Sequence, residues 1–195
     1  MKRGGPVPFW GGMIAALVVG WFGLPLALYE KIEQPVQFSH QMHVGDSVGL
    51  TCEDCHSYYD DGRFSGIPVI EKCAECHSEV LGETENEKRL VEEYIQPNLE
   101  VPWMIYARQP ENVFFSHAVH SRMAELSCQQ CHGEHGTSTV LRPLQRNRIS
   151  GYSRDIWGSS MSRLRNAPWE GKKMDDCSRC HTERGVQENC LDCHK

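Results

Sequence analysis

The stretch from Phe114 to His135 reads FFSHAVHSRMAELSCQQCHGEH and carries the pattern on which the rest of the chain depends. It contains one Cys-x-x-Cys-His motif, and three further histidines lie close to that motif in sequence. Two thiols at this spacing can add across the two vinyl groups of a porphyrin, and the adjacent histidine then ligates the iron. The stretch therefore predicts a site for covalently bound haem c, with nearby histidines that could occupy the opposite face of the iron.

The cysteines and histidines of the whole chain divide into five such motifs without a remainder. The chain has ten residues of each type. The motifs are Cys52–Cys55–His56, Cys73–Cys76–His77, Cys128–Cys131–His132, Cys177–Cys180–His181 and Cys190–Cys193–His194. The histidines outside the motifs are His40, His43, His117, His120 and His135. These counts predict five covalently bound haem c groups, each with histidine on both faces of its iron.

Zinc sites and a disulfide framework are the other common uses of paired cysteines. Neither requires a histidine directly after every second cysteine, which is what all five motifs show. Methionine is an alternative ligand for the second face of an iron, although it is more often a core or loop residue. The candidates among the methionines of the chain include Met42, Met104, Met161 and Met174.

The composition predicts a fold with little apolar core of its own. The chain has 195 residues, a mean hydropathy of −0.50 and a net charge of −6. A chain this short with five haems is expected to use the porphyrins as its core. We expect a mainly α fold with extensive irregular loops and little or no sheet. The negative charge argues against a nucleic-acid partner.

The N-terminal region predicts a membrane anchor. Residues 4–29 carry no charged side chain, and a bilayer-spanning helix needs about 20 residues. A cleaved signal peptide is the alternative, but its apolar region is usually about 7–15 residues long. Lys2 and Arg3 precede the apolar stretch, which places the N-terminus in the cytoplasm. We therefore expect a single-pass protein of the inner membrane with a periplasmic haem domain.

The remaining chain is expected to form two haem modules and a linker. Residues 1–33 form the N-terminus and anchor, residues 34–77 a dihaem module, residues 78–113 a linker with an amphipathic helix, and residues 114–195 a trihaem module. The last module includes the basic loop 141–174, whose eight Lys and Arg residues could pair with haem propionates, contact a neighbouring subunit or simply face solvent.

The two modules open with an internal repeat. Phe38-Ser39-His40-Gln41-Met42-His43 corresponds to Phe115-Ser116-His117-Ala118-Val119-His120. Two histidines three apart on a helix point about 60° away from each other, which suits two different irons. We expect His43 to serve the iron of His56 and His120 that of His132. His40, His117 and His135 would then serve the irons of His77, His181 and His194 in an order that the sequence leaves open.

Two family resemblances follow from these motifs. Residues 115–135 resemble class III multihaem cytochromes c, in which Phe-x-His-x-x-His precedes a haem motif and another histidine follows it. The whole chain is similar to the membrane-anchored multihaem subunit of alternative complex III and of the related menaquinone reductase (Qrc) complex. The matching features are the N-terminal span, FSHQMHVG at 38–45, GIPVIEKCAECH at 66–77 and the segment from Pro102 to His120.

The second resemblance implies partners and a function. The partners are iron–sulfur and molybdopterin-type periplasmic subunits, quinone-binding membrane subunits and a soluble periplasmic cytochrome c. Ligation by histidine alone favours low potentials, so we expect an electron-transfer subunit, not itself an enzyme, that passes electrons from the soluble cytochrome towards menaquinone. The alternatives are a quinol-oxidising alternative complex III, a single-anchor quinol dehydrogenase, a multihaem reductase enzyme and an anchored electron-storage protein.

Overall fold

The computed structural model describes residues 7–23, 27–107, 109–151 and 172–194, which form short helices joined by irregular segments. The α-helices span Val7–Val18, His40–Val44, Cys52–Cys55, Ile70–Ala74, Glu85–Leu90, Cys128–His132, Met174–Glu183 and Cys190–Cys193. Helical turns of the π type span Val19–Gly23, Val91–Ile95 and Ala118–Met123, and a 3-10 turn spans His135–Thr137.

The helices that carry the motifs begin at caps that the sequence supplies. In three of these helices, the residue just before the first cysteine donates its main-chain N–H to a side chain three residues later, inside the motif. The main-chain N–H of Thr51 donates to Asp54 Oδ2 at 2.7 Å, and that of Ser127 donates to Gln130 Oε1 at 2.9 Å. Asn189 donates in the same way to Asp192 Oδ2 at 2.7 Å. Such reciprocal caps satisfy main-chain donors at the start of a helix, so the motifs form one helical turn even with little packing around them.

The N-terminal helix Val7–Val18 and the following turn Val19–Gly23 expose their apolar side chains. Trp21, for example, is 68% exposed. Within the described residues, no helix combines the length and the hydrophobicity needed to cross a membrane. Residues 4–6 and 24–26, which belong to the expected anchor, lie outside the described residues.

A two-stranded antiparallel ribbon connects the N-terminal region to the basic loop. Strand β1, Tyr29–Ile32, pairs with strand β2, Leu144–Asn147, so that Tyr29 lies opposite Asn147 and Ile32 opposite Leu144. A salt bridge of 2.7 Å joins Arg146 Nε to Glu30 Oε1 across the ribbon. The part of the basic loop at 152–171, including Met161, lies outside the described residues.

The buried apolar core of the described residues is small. Its central cluster is Val36, Ile70 and Val101, and Leu90, Tyr94 and Trp103 are among the partly buried side chains packed around it. Ile70 is the first residue of the helix that carries Cys73, and Cys73 itself packs against the cluster. The core therefore positions the second haem motif.

Gln34 joins three segments that are distant in sequence, and its side chain is buried. Its Nε2 donates to the main-chain oxygens of Met104, at 2.8 Å, and Arg142, at 2.9 Å. Its Oε1 accepts from the main-chain N–H of Met104 at 3.0 Å. Because buried polar groups are costly when they lack partners, this side chain stabilises the contact between the segments that contain Met104 and Arg142.

We predict that Gln34→Ala lowers the free energy of unfolding by about 2–3 kcal/mol, because it removes three partly buried hydrogen bonds to the main chain of Met104 and Arg142. Thermal and denaturant unfolding, followed by circular dichroism, measure the change. Glu33→Gln is the matched control, because Glu33 is the exposed neighbouring residue. Equal stabilities of the two variants would contradict this role of Gln34.

Candidate functional site

The five motifs have the local geometry that covalent haem attachment requires. None of the ten cysteines forms a disulfide. The main-chain N–H of His56, His77 and His194 donates to the carbonyl oxygen of the first cysteine of its own motif, at 2.8–2.9 Å. The histidine therefore lies one helical turn after that cysteine. Within the described ranges, no three His, Cys, Asp or Glu side chains converge on one point, as they would around a zinc ion.

The first copy of the Phe-Ser-His-x-x-His repeat holds His43 in a defined orientation. Its Nδ1 lies 2.8 Å from the main-chain oxygen of Ser39, and its ring stacks on Phe38 with a centroid distance of 4.2 Å. A carbonyl oxygen can only accept, so Nδ1 carries the proton and the lone pair is on Nε2. Nε2 is therefore the atom available to a metal.

The second copy of the repeat has the same geometry. His120 Nδ1 donates to the main-chain oxygen of Ser116 at 2.8 Å, and its ring stacks on Phe115 at 4.7 Å. In both copies, the serine hydroxyl accepts from the main-chain N–H three residues later, at Met42 and Val119. The sequence repeat is therefore also a structural repeat, and each copy presents one histidine Nε2.

Each of these oriented histidines faces the histidine of a haem motif. The ring centroids of His43 and His77 are 6.1 Å apart, and those of His120 and His181 are also 6.1 Å apart. The rings of His117 and His132 are 6.3 Å apart and nearly parallel, at 5°. With metal–nitrogen distances of about 2 Å, two imidazoles on opposite faces of one iron have centroids about 6 Å apart. The three distances match that value, as do those of His40 and His135, at 6.0 Å, and of His132 and His135, at 6.4 Å.

This pairing differs from the one expected from the sequence, in which His43 would serve the iron of His56 and His120 that of His132. Each repeat instead brings its second histidine to the motif after the nearest one. Two local contacts determine the ring direction, namely the bond to the serine carbonyl and the stacked phenylalanine. The motif that meets that ring is determined by tertiary packing, which for Cys73 and His77 is the Val36–Ile70–Val101 cluster.

His40 and His135 lie close together, with ring centroids 6.0 Å apart. His40 Nδ1 is 3.1 Å from Ser138 Oγ, and the Tyr106 hydroxyl is 3.5 Å from His135 Nε2. Burial lowers the pKa of His40 to about 4, and the charges of His135, His56 and His43 add to that shift. Burial also lowers the pKa values of His117, His132 and His135. Neutral imidazole is the form that ligates a metal.

His56 and His194 are placed differently. His56 Nδ1 donates to the main-chain oxygen of Gly66 at 2.7 Å, and its ring lies 6.4 Å from Phe64, which stacks on His117 at 4.2 Å. His194 forms an isolated antiparallel bridge with Val113. Among the ring contacts of the described residues, none joins either of these histidines to another histidine.

Two carboxylates that were not predicted from the sequence contact motif histidines. His77 Nδ1 is 3.0 Å from Glu87 Oε1, and His181 Nδ1 is 2.6 Å from Glu188 Oε2. Hydrogen bonds from the main chain of Leu81 and Gly82 lower the pKa of Glu87, with His77 adding to them. The Ser178 hydroxyl, followed by His181, lowers the pKa of Glu188. The two glutamates follow their histidines by ten and seven residues, so no common spacing marks them in the sequence.

Comparison with known proteins agrees with this chemistry. Residues 48–189 match the family described as outer membrane cytochrome MtrC/MtrF-like, domains II/IV. The chain is also 40% identical over 207 aligned residues to a protein of Nitratidesulfovibrio vulgaris strain Hildenborough named menaquinone reductase, multiheme cytochrome c subunit. That alignment covers 98% of this chain and 91% of the relative. The chain belongs to the multihaem cytochromes c.

Family membership confirms the prediction of covalently bound haem c in a multihaem electron-transfer protein. In this cytochrome, burial raises the pKa values of four motif thiols, and a thiol of another motif adds to each shift. The pairs are Cys73–Cys55, Cys128–Cys52, Cys131–Cys180 and Cys177–Cys193. Thiols of different motifs therefore lie near one another in each of these pairs.

Two cations of the basic loop lie near these sites. The pKa of His132 is lowered by burial, by His56 and by Lys172, and that of His135 by burial, by His132 and by Arg142. Arg154, Arg163 and Arg165, which are among the residues expected to pair with propionates, lie outside the described residues. Positive charge from both ends of the loop therefore acts on His132 and His135.

We predict that the double substitution Cys190→Ala and Cys193→Ala removes one covalently bound haem, because it eliminates both thiols of the last motif in the sequence. Mass spectrometry of the denatured protein counts the attached haems, and the pyridine haemochrome spectrum counts the total. Leu191→Ala is the control, because Leu191 lies between the two cysteines and is 82% exposed. Unchanged covalent haem content in the double variant would show that this motif is not an attachment site.

Proposed function

We propose that this chain is a membrane-anchored pentahaem subunit of a respiratory quinone-linked complex, and that it passes electrons from a soluble low-potential cytochrome towards menaquinone. The observation that carries the proposal is the set of histidine pairs at centroid distances of 6.1–6.3 Å that join each repeat to haem motifs. The relative with 40% identity, which is named as a subunit of menaquinone reductase, supports the same complex.

We assign the histidines as ligands in pairs. His43 pairs with His77, His120 with His181, and His117 with His132, in accordance with the ring distances. His40 and His135 are left for the irons of His56 and His194, in an order that the ring contacts leave open. An iron with histidine on both faces has no open position for a substrate, so it exchanges electrons only. The chain is then an electron-transfer subunit without a catalytic site of its own.

The ligand set also supports the direction of electron flow. Methionine ligation raises haem potentials relative to ligation by histidine alone, and every proposed second ligand is a histidine. Low-potential haems can deliver electrons to menaquinone. In the alternative, a quinol-oxidising alternative complex III, the same subunit carries electrons from quinol to a periplasmic acceptor of higher potential.

We propose the membrane arrangement from the sequence. The uncharged residues 4–29 would anchor the chain in the inner membrane, with Lys2 and Arg3 on the cytoplasmic side and the haem motifs in the periplasm. The exposed apolar side chains of Val7–Gly23 support an apolar environment for this segment. Iron–sulfur and molybdopterin-type subunits, quinone-binding membrane subunits and a soluble cytochrome c are the proposed partners.

We predict that His43→Ala converts one haem to high spin and leaves the other haems low spin, because it removes the ligand opposite His77. Visible and EPR spectra of the purified cytochrome measure the change. Met42→Ala is the control, because Met42 is the neighbouring alternative ligand and is 54% exposed. The double variant His43→Ala/His77→Ala should perturb the same single haem, because both residues would ligate one iron. The double variant His43→Ala/His56→Ala should perturb two haems. If instead the His43→Ala/His56→Ala variant perturbs one haem and the His43→Ala/His77→Ala variant perturbs two, His43 pairs with His56.

We predict that the complex purified with its native subunits contains five low-spin haems, most of them with potentials below that of menaquinone. A redox titration followed by visible and EPR spectra, with identification of the co-purifying subunits, tests this. Potentials above that of menaquinone with the same partners would favour the quinol-oxidising complex. A high-spin haem that binds carbon monoxide would instead favour a reductase enzyme.

A further inference from the structure

We propose that Glu87 and Glu188 are positioning residues that lower the reduction potentials of the haems of His77 and His181. This inference rests on the proposed ligation of those irons by His77 and His181. Each glutamate acts through the histidine it contacts and does not touch the iron. Without these carboxylate charges the two haems would be easier to reduce.

The geometry of both contacts directs one carboxylate oxygen at a histidine Nδ1. The distances are 3.0 Å for His77 and Glu87, and 2.6 Å for His181 and Glu188. Other donors hold the carboxylates in place. Glu87 accepts from the main-chain N–H groups of Leu81, at 2.9 Å, and Gly82, at 2.8 Å.

Glu188 is held in place by a side chain. It accepts from the Ser178 hydroxyl at 2.5 Å. Its side chain is 29% exposed and that of His181 is 23% exposed, while the side chains of Glu87 and His77 are 13% and 21% exposed. Partial burial limits the screening of each carboxylate charge by water, so its effect on the neighbouring ring remains substantial.

A carboxylate that accepts from Nδ1–H increases the basicity of the imidazole, and Nε2 becomes a stronger electron donor. A stronger donor stabilises ferric iron more than ferrous iron, so the reduction potential falls. Hydrogen bonding around the axial ligand is one of the means by which a protein adjusts haem potential. A charged acceptor has a larger effect than a neutral carbonyl, because its hydrogen bond is stronger.

The other oriented histidines provide the contrast within the same chain. His56 donates its Nδ1–H to the Gly66 carbonyl, His43 to that of Ser39 and His120 to that of Ser116. All three acceptors are neutral. Since His43 and His120 are the proposed second ligands of the irons of His77 and His181, the negative charge lies on only one side of each iron.

The test is a redox titration of the full-length cytochrome with all its haems attached, in Glu87→Gln and Glu188→Gln variants. Glutamine keeps an oxygen that can accept from Nδ1–H but removes the charge. In each variant, the ratio of reduced to oxidised haem at a given potential should rise about tenfold for one haem. This corresponds to a rise of about 59 mV in the reduction potential of that haem. The potentials of the other four haems should change little.

Matched controls remove the same charge without contacting a motif histidine. Glu83→Gln is the control for Glu87 and Glu183→Gln that for Glu188, and both control residues are exposed. If all haems remain low spin and the variants titrate like their controls, the inference is wrong while the proposed function stands. If the unsubstituted protein has a high-spin haem at one of these sites, the proposed ligation itself fails.

The Glu188→Gln variant allows the test to be made even if Glu87→Gln misfolds. Glu87 also orders the turn at Leu81 and Gly82, so Glu87→Gln could reduce haem incorporation. In that case Glu188→Gln decides the question, because the contacts of Glu188 in the structure are with the side chains of Ser178 and His181. A rise in one potential in that variant supports the inference, and no rise overturns it.

Discussion

The hydrogen bond from a histidine Nδ1–H to an oxygen of the protein is the contact on which the site depends. It places the lone pair on Nε2 and fixes the plane of the ring. In His43 and His120 the acceptor is the carbonyl of the serine four residues earlier, so the bond forms within one helical turn. A stacked phenylalanine from the same repeat supports each ring. Six residues are therefore enough to orient a ligand.

Such local orientation suits a chain with a small apolar core. The cluster of Val36, Ile70 and Val101 holds one motif helix, and the buried Gln34 connects the linker to the start of the basic loop. The caps of the motif helices are also local, as in the pair Thr51 and Asp54. Bound haems would add apolar contacts between the motifs. The motif helices and the oriented histidines need few apolar contacts, because hydrogen bonds within a few residues fix their conformation.

The sequence predicted the motifs, the repeat and the histidines available as second ligands, because these depend on spacing along the chain. It did not predict which rings meet. His43 lies nearer in sequence to His56 but meets His77, since the helix at Ile70–Ala74 packs onto the core. Glu87 and Glu188 were also missed. Glu87 lies in the first turn of the helix Glu85–Leu90 and Glu188 in the segment between the last two helices, and no local spacing ties either residue to its histidine.

The sequence by itself determined that this chain is a multihaem cytochrome c, because a Cys-x-x-Cys-His motif occupies a single turn of helix and needs no distant residue. The use of the remaining histidines as second ligands stays a prediction. Only the tertiary structure decided which histidine rings meet and which carboxylates contact Nδ1. These features depend on how segments tens of residues apart pack together, and no local spacing specifies that packing.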